Sequence, residues 1–554
     1  MFYHILLFLL MFNRMGRGIY GSPSGSGSIF SVYNDLETDK LVYRGDAEGN
    51  KIPDFSHAGY KGGGVPFPSV PVVKVLYPHP NAVDDTQRIQ AAINAVGSLP
   101  LGNDGIRGAV LLKAGIYRVS ETLVLNKDGV VLRGEGCGEN PAHQLFSGNL
   151  TRDSAKTTTI IATGTKLRPL IRIAGPHLPP YRNLSNSGKV YLITDPPIPI
   201  GATEFQVEWS ASYKHMEVGQ TIVIHRPSPS NWIHDIGMDR MPTRGDGKRV
   251  RQWQSGRFDF VFEKRIVDID RTTKKITIDT PLLMSLDARY GGAEFVRINE
   301  PKRIREIGIE NLQFISEFVR GQEDSDEKHA TDAVIIEGGV ENIWVSDIVS
   351  KHFVHGCVNI RPSARYVTVQ DSADLDPVSM ITGARRYSFQ VDGQSSLFLR
   401  VFSRKSRHAF STGSRVQGPN VFSYAVGVDQ YADIGPHNHF GIGTLYDNVK
   451  TDGRISVENR GSAGSGQGWA GVTQVLWNCE ANQLILTRPA ISANNWAIGC
   501  IGRKMTSKNA GVDAVWESFG HKVHEIPSLY FKQLINRKGL KAAYALQPKI
   551  YTFP

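Results

Sequence analysis

Cysteine is nearly absent: Cys137, Cys357, Cys479 and Cys500 are the only four in 554 residues. That is too few for a disulfide scaffold, and no close pair has the spacing of a zinc site. Cys479 and Cys500 lie one repeat apart and could face each other, bridged or as buried thiols. Long hydrophobic runs are missing too. The apolar segment Met1–Phe12 is too short to span a bilayer, and nothing later is long and apolar enough for a transmembrane helix. With the small residues Gly21–Gly27 behind it, this segment reads as a secretory signal peptide over 1–21. A membrane anchor or an early start codon is the alternative. Gly59–Gly64 lacks the Gly-Lys-Ser/Thr ending of a phosphate-binding loop, which excludes that reading. Acidic residues are in deficit, 53 against 63 lysines and arginines, a net charge of +10. A basic surface concentrates anionic ligands, and for a secreted chain acidic polysaccharide fits better than nucleic acid.

What is present is a ladder. Short alternating apolar runs recur after roughly 21 to 36 positions: Ile307–Leu312, Ile343–Ile348, Val367–Val369, Leu397–Leu399, Val421–Tyr424, Leu445–Val449, Val475–Cys479 and Trp496–Ile498. They are too short for helices and rich in β-branched and aromatic residues. A unit of this length without helical periodicity predicts an all-β solenoid, a parallel β-helix, whose coils bury their inner faces against one another. An all-β sandwich or propeller is the competing architecture.

Ahead of the ladder, Asp85 or Thr86 can cap a helix with Ile89, Ala92, Ile93 and Val96 on one face. Such a helix would cover the open end of a solenoid. Residues 22–180 are read as this N-terminal cap and the first coils. In 181–300 the rhythm changes to that of a small antiparallel β insertion, and residues 301–510 carry the main coils. Over 511–554, Pro527–Asn536 predicts a C-terminal helix covering the second end. Asn149 and Asn183 begin glycosylation sequons.

The motifs Asp84–Thr86, Ile89–Ile93, Gly115–Tyr117 and Val131–Gly136 resemble the opening of the pectate-lyase-like superfamily of secreted right-handed parallel β-helix proteins. Asp376–Ser379, Thr382-Gly383, Arg385–Phe389, Asp433–His437 and Gly466–Gly471 look like phrases of an uncharacterised polysaccharide-lyase-like group within it. The resemblance implies the fold and leaves the reaction open, since that superfamily includes lyases, hydrolases, epimerase-like enzymes and non-catalytic tailspike modules.

Ionisable residues concentrate between Asp371 and Arg460. Elimination on a uronate needs a cation to neutralise the carboxylate, a base for the C5 proton and an acid for the leaving oxygen. Arg385, Arg386, Arg407 and Arg415 could neutralise; His408, His437, His439 or Lys405 could exchange protons. Hydrolysis needs two carboxyl groups, for which Asp371, Asp374, Asp376, Asp429 and Asp433 are candidates. The Asn-Thr-Asp, Asp-Asp and Gly-His-Gly set of polygalacturonase-type hydrolases is absent from the solenoid core. Substrate contacts are assigned to Asp376, Arg415, Arg460, Trp469, Trp253 and Arg251. Of these, Trp253 and Arg251 lie in the basic insertion, where rings beside guanidinium groups suit acidic sugars. No metal is assigned, although calcium held by Asp371, Asp374 and Asp376 is possible. The sequence thus points to a secreted enzyme cleaving an acidic polysaccharide by elimination. A glycoside hydrolase and a non-catalytic carbohydrate-binding or structural β-helix are the alternatives.

Overall fold

Alternation along the ladder becomes stacking in the computed structural model, which describes residues 30–146, 156–178, 190–194, 197–208, 215–299 and 302–546. The signal peptide expected over 1–21 and the sequons at Asn149 and Asn183 lie outside these residues. The chain is a parallel β-helix. Strand Ile304–Ser316 pairs in parallel with Val340–Lys351, that with Arg365–Leu375, then Leu397–Arg404, Gln417–Val428 and Gly441–Asp447. A second parallel stack runs through Asp332–Ile336, Gly356–Ile360, Phe389–Val391, Phe410–Thr412 and Asp433–Pro436.

The long strands bend from one face of the coil to the next at a single residue. Asn311, Asp347, Asp371, Arg400, Tyr424 and Asn448 occupy one register position, and all have φ between 51 and 56°. Left-handed backbone there turns the chain, and short Asn and Asp side chains tolerate it best. Residues on either side alternate in and out. Phe398 points inward and stacks on Phe422 at 4.6 Å, which in turn stacks on Tyr446 at 5.6 Å. Each such ring, removed from water, contributes roughly 1.5–3 kcal/mol of burial.

The helix Thr86–Gly97 places Ile89, Ala92, Ile93 and Val96 against Val110, Leu112 and Leu123, closing the first coil. The C-terminal helix Leu529–Lys538 lies elsewhere than expected. Its Leu529, Tyr530 and Leu534 pack on Leu397, Leu399, Leu445 and Trp477, along the flank of the coils rather than over their end. The reason is local: Leu397 and Leu399 flank the inward Phe398, so this stretch is apolar on both faces and needs outside cover. The insertion is a six-stranded antiparallel sheet between Val190 and Ile298. Its core joins Trp232, Trp253 and Phe260 to Phe440, Ile442 and Trp469 of the coils. All four cysteines are buried, and Cys479 and Cys500 are unbridged thiols at matching positions of adjacent coils.

Candidate active site

At the ends of the strands of the second stack, five successive coils contribute rings and acids that line up. Asp332 Oδ1 accepts from His355 Nδ1 at 2.9 Å. The His355 ring stacks on Tyr387 at 5.1 Å, and Tyr387 lies 4.8 Å from His408 and 5.3 Å, edge on, from His437. The two imidazoles are 4.3 Å apart. Asp433 closes the row, its Oδ2 2.7 Å from Arg460 and its Oδ1 3.7 Å from Arg454.

Hydrogen bonds settle the proton positions. His408 Nδ1 donates to the Asp433 carbonyl at 2.7 Å, which leaves Nε2 as a lone pair with no partner among the described residues. Tyr387 OH lies 3.0 Å from His437 Nε2, and the Gln467 amide nitrogen lies 3.4 Å from the same atom. The Gln467 amide, whose Oε1 accepts from Arg460, can only donate to Nε2, so Nε2 is an acceptor and the phenol proton is directed at His437.

Burial sets the charges. It pushes His408 down to about 4, with Arg407 assisting against the pull of Asp433. It pushes His437 down to about 3, helped by His408 and Arg460. Burial also raises the Tyr387 phenol. For Asp433 burial works the other way, but His408, Arg460 and Arg454 outweigh it and hold the carboxylate below its usual range. The site at neutral pH is two neutral imidazoles, a neutral phenol and a carboxylate among guanidinium groups.

These shifts predict a pH dependence of stability. Between 6.5 and about 4 the unfolded chain binds a proton at His408 that the folded chain refuses. Stability therefore falls as pH drops through that window, by ~3 kcal/mol for this residue alone. Melting temperatures from pH 7 to pH 4 are expected to decline steeply, and less steeply in His408→Asn, whose amide can replace the Nδ1 donor. Equal slopes in the two proteins would contradict the assignment.

Of the residues singled out in the sequence, Arg407, His408, Asp433, His437 and Arg460 come together here. Arg385 is paired with Glu327, its Nη2 2.8 Å from Oε2. Arg386 is a correction: it is buried, bonded to Asp324 at 2.6 Å and to the Ser379 carbonyl, and its own carbonyl receives the Arg407 and His408 amides. It positions the site instead of touching a substrate. Asp376 is held by Arg404 at 2.6 Å, with Lys405 3.9 Å away. His439, Arg251, Arg415 and Trp253 line a separate cavity of about 630 Å³ beside the insertion. Two aromatic assignments need correction. One face of Trp253 is covered by Phe258 at 4.0 Å, and Trp469 is buried with its indole N–H given to the Ile236 carbonyl. Docking of the insertion consumes both rings.

The calcium reading also fails on geometry. Asp371 forms a bidentate pair with Arg400 at 2.6 and 2.7 Å. Asp374 bonds to Ser350 inside the coil, where burial raises it to about 7, and Asp376 serves Arg404. Among the described residues no group of His, Cys, Asp and Glu could hold a metal ion.

Sequence reasoning missed Tyr387, His355, Asp332 and Asp392. Burial raises Asp392, although Gln390, Arg361 and the Gly413 amide favour its charged form. Burial also opposes the charge on Asp332, but His355 and Arg361 prevail and lower it. Tyr387 lay inside a quoted motif, but no local pattern marks it out.

No family model matches the chain, and no curated protein matches it. Solved structures with a similar fold include the tailspike protein gp49 from Pseudomonas phage LKA1, at 12% identity over 80% of this chain and 72% of that one, TM-score 0.39. The tailspike of E. coli bacteriophage HK620 in complex with a pentasaccharide is 10% identical over 90% and 70%, TM-score 0.34. A polygalacturonase from Erwinia carotovora is 11% identical over 82% and 96%, TM-score 0.30. These likenesses are of fold alone.

Proposed function

We propose that the protein is a carbohydrate-active β-helix that cleaves an acidic polysaccharide by β-elimination at the Tyr387–His437 pair. The observation that carries this reading is the 3.0 Å hydrogen bond between a neutral phenol and a neutral imidazole, flanked by Arg407 and Arg460. Arginine neutralises the uronate carboxylate, which acidifies the C5 proton. As the phenol proton turns from His437 Nε2 to the leaving oxygen, the lone pair it frees takes that C5 proton; the C5–H electrons form the new C4–C5 double bond as the C4–O bond breaks. Tyr387 gives its proton to the leaving oxygen. The imidazolium then returns a proton to the phenolate along the existing hydrogen bond, and both groups are reset.

One observation favours a second reading. Asp332 and Asp392 are shifted in opposite directions beside the same His355 and Arg361, the sense in which the two carboxyl groups of a hydrolase differ. Incubation with uronate polymers separates the two. Elimination is expected to raise ultraviolet absorbance together with new reducing ends, because the product is a conjugated unsaturated uronate. Reducing ends without absorbance would assign the hydrolase. Neither signal across a broad substrate panel would leave a binding or structural β-helix.

The net charge of +10 supports an acidic polymer as substrate. On this reading the protein acts outside the cell, with residues 1–21 as its leader.

A further inference from the structure

A cavity of about 530 Å³ forms where four parts of the chain converge: the arm before Gly62, the insertion, the coil corner and the C-terminal helix. Its lining carries seven lysines and arginines and three carboxylates. The carboxylates are already engaged. Glu263 is held by Arg303 at 2.9 Å and by Arg365, and Glu341 by Arg365 at 2.8 Å and Arg305 at 3.4 Å. Asp279 accepts the Arg265 backbone amide at 3.0 Å.

Three of the cations are held only by neutral oxygens among the hydrogen bonds of the described residues. Lys264, 4% exposed, donates to Thr280 Oγ1 at 2.7 Å and to the Pro281 carbonyl at 2.9 Å. Lys538 donates to the Gly63 carbonyl at 2.8 Å. Arg537 donates to Ser56 and the Gly62 carbonyl, each at 2.7 Å. Carbonyls satisfy the N–H groups but leave the charge uncompensated. Asp54, near Arg537, is itself raised by burial.

The cavity's titrating groups report the same positive field. Burial lowers Lys264 to about 8, although Asp279 pulls the other way. Lys538 falls through burial and Arg537, and His57 is driven to about 3 by burial, Arg537, Lys264 and Lys538. Three cations converging on one cavity and held only by neutral oxygens, one of them buried, favour an anionic ligand, which would gain several charge-assisted hydrogen bonds at once.

We propose that this cavity is an oxyanion site, taking a phosphate, sulfate or carboxylate group through Lys264, Lys538 and Arg537. The group is a free anion or one carried on an acidic saccharide. Occupancy ties the N-terminal arm and C-terminal helix to the insertion, so binding also stabilises the fold. The site is separate from the Tyr387 row and does not depend on the protein being a lyase.

The test is calorimetric titration of the full chain at fixed ionic strength, with inorganic phosphate in one arm and an acidic oligosaccharide in the other. One saturable event is expected in the phosphate arm, weakened by ~tenfold or more in Lys264→Met and in Lys538→Met. Circular dichroism melts check that each variant folds, and exposed Lys538 is the safer of the two. Saturation by phosphate assigns a free anion; saturation by the saccharide alone assigns a polymer subsite. No saturable binding in either arm, or binding indifferent to both lysine variants, overturns the proposal. The phosphate arm reads this site whether or not polysaccharide is cleaved.

Discussion

Tyr387→Phe is expected to lower kcat/KM on the acidic polysaccharide by about 10²–10⁴-fold while leaving the melting temperature nearly unchanged. The variant keeps the ring that sits between His355 and His408 at 5.1 and 4.8 Å, so packing persists. What it loses is the hydroxyl that donates to His437 Nε2. If Tyr387 supplies the leaving-group proton, the loss falls on kcat; if it only packed, phenylalanine would be silent. His437→Ala should be comparably damaging. Because the His437 pKa is depressed to about 3, the acid limb of the wild-type pH profile should lie well below the 6.5 of an ordinary histidine. Retention of full activity in Tyr387→Phe would remove this residue from the chemistry and shift attention to Asp332 and Asp392.

Arg400→Met is expected to cost about 3–5 kcal/mol of stability, the largest effect predicted away from the site. Arg400 is 3% exposed and sits at the corner position of its coil with φ 53°. Its guanidinium holds Asp371 of the preceding coil through two bonds and reaches the Leu546 carbonyl at 2.9 Å. Removing it strands a carboxylate that is itself buried, and frees the end of the helix Leu540–Leu546 from the flank. The double variant Arg400→Met with Asp371→Asn should lose less than the two single losses combined, since no charge is then left unpaired. Chemical denaturation of the four proteins measures this, and strict additivity would contradict the pairing.

The fold was legible because its signal is local. Alternation such as Val367–Thr368–Val369 states which side chains point inward, and Asn311, Asp347, Asp371 and Asn448 mark corners where left-handed backbone suits them. The helix at Thr86 was readable for the same reason, its apolar face being written within 12 residues. The C-terminal helix was equally readable as a helix, but not its place on the flank, which depends on Leu397, Leu445 and Trp477 far back in the chain.

The site was half legible. A concentration of charge drew attention to Arg407, His408, Asp433, His437 and Arg460, yet the same reasoning swept in Arg386, which is buried as a scaffold. It also passed over Tyr387. Val358 pairs with Phe389 and Phe389 with Phe410, so successive coils are 31 and 21 residues long. With coils of unequal length, no sequence interval says that His355, Tyr387 and His408 are neighbours. By itself, then, the sequence determined the architecture and the chemical types available, because period-two burial and turn preference act over a few residues. Only the tertiary structure decided which rings share a row, which tryptophans the insertion buries and which cations lack a counter-charge, because register between coils and docking of the insertion are long-range contacts.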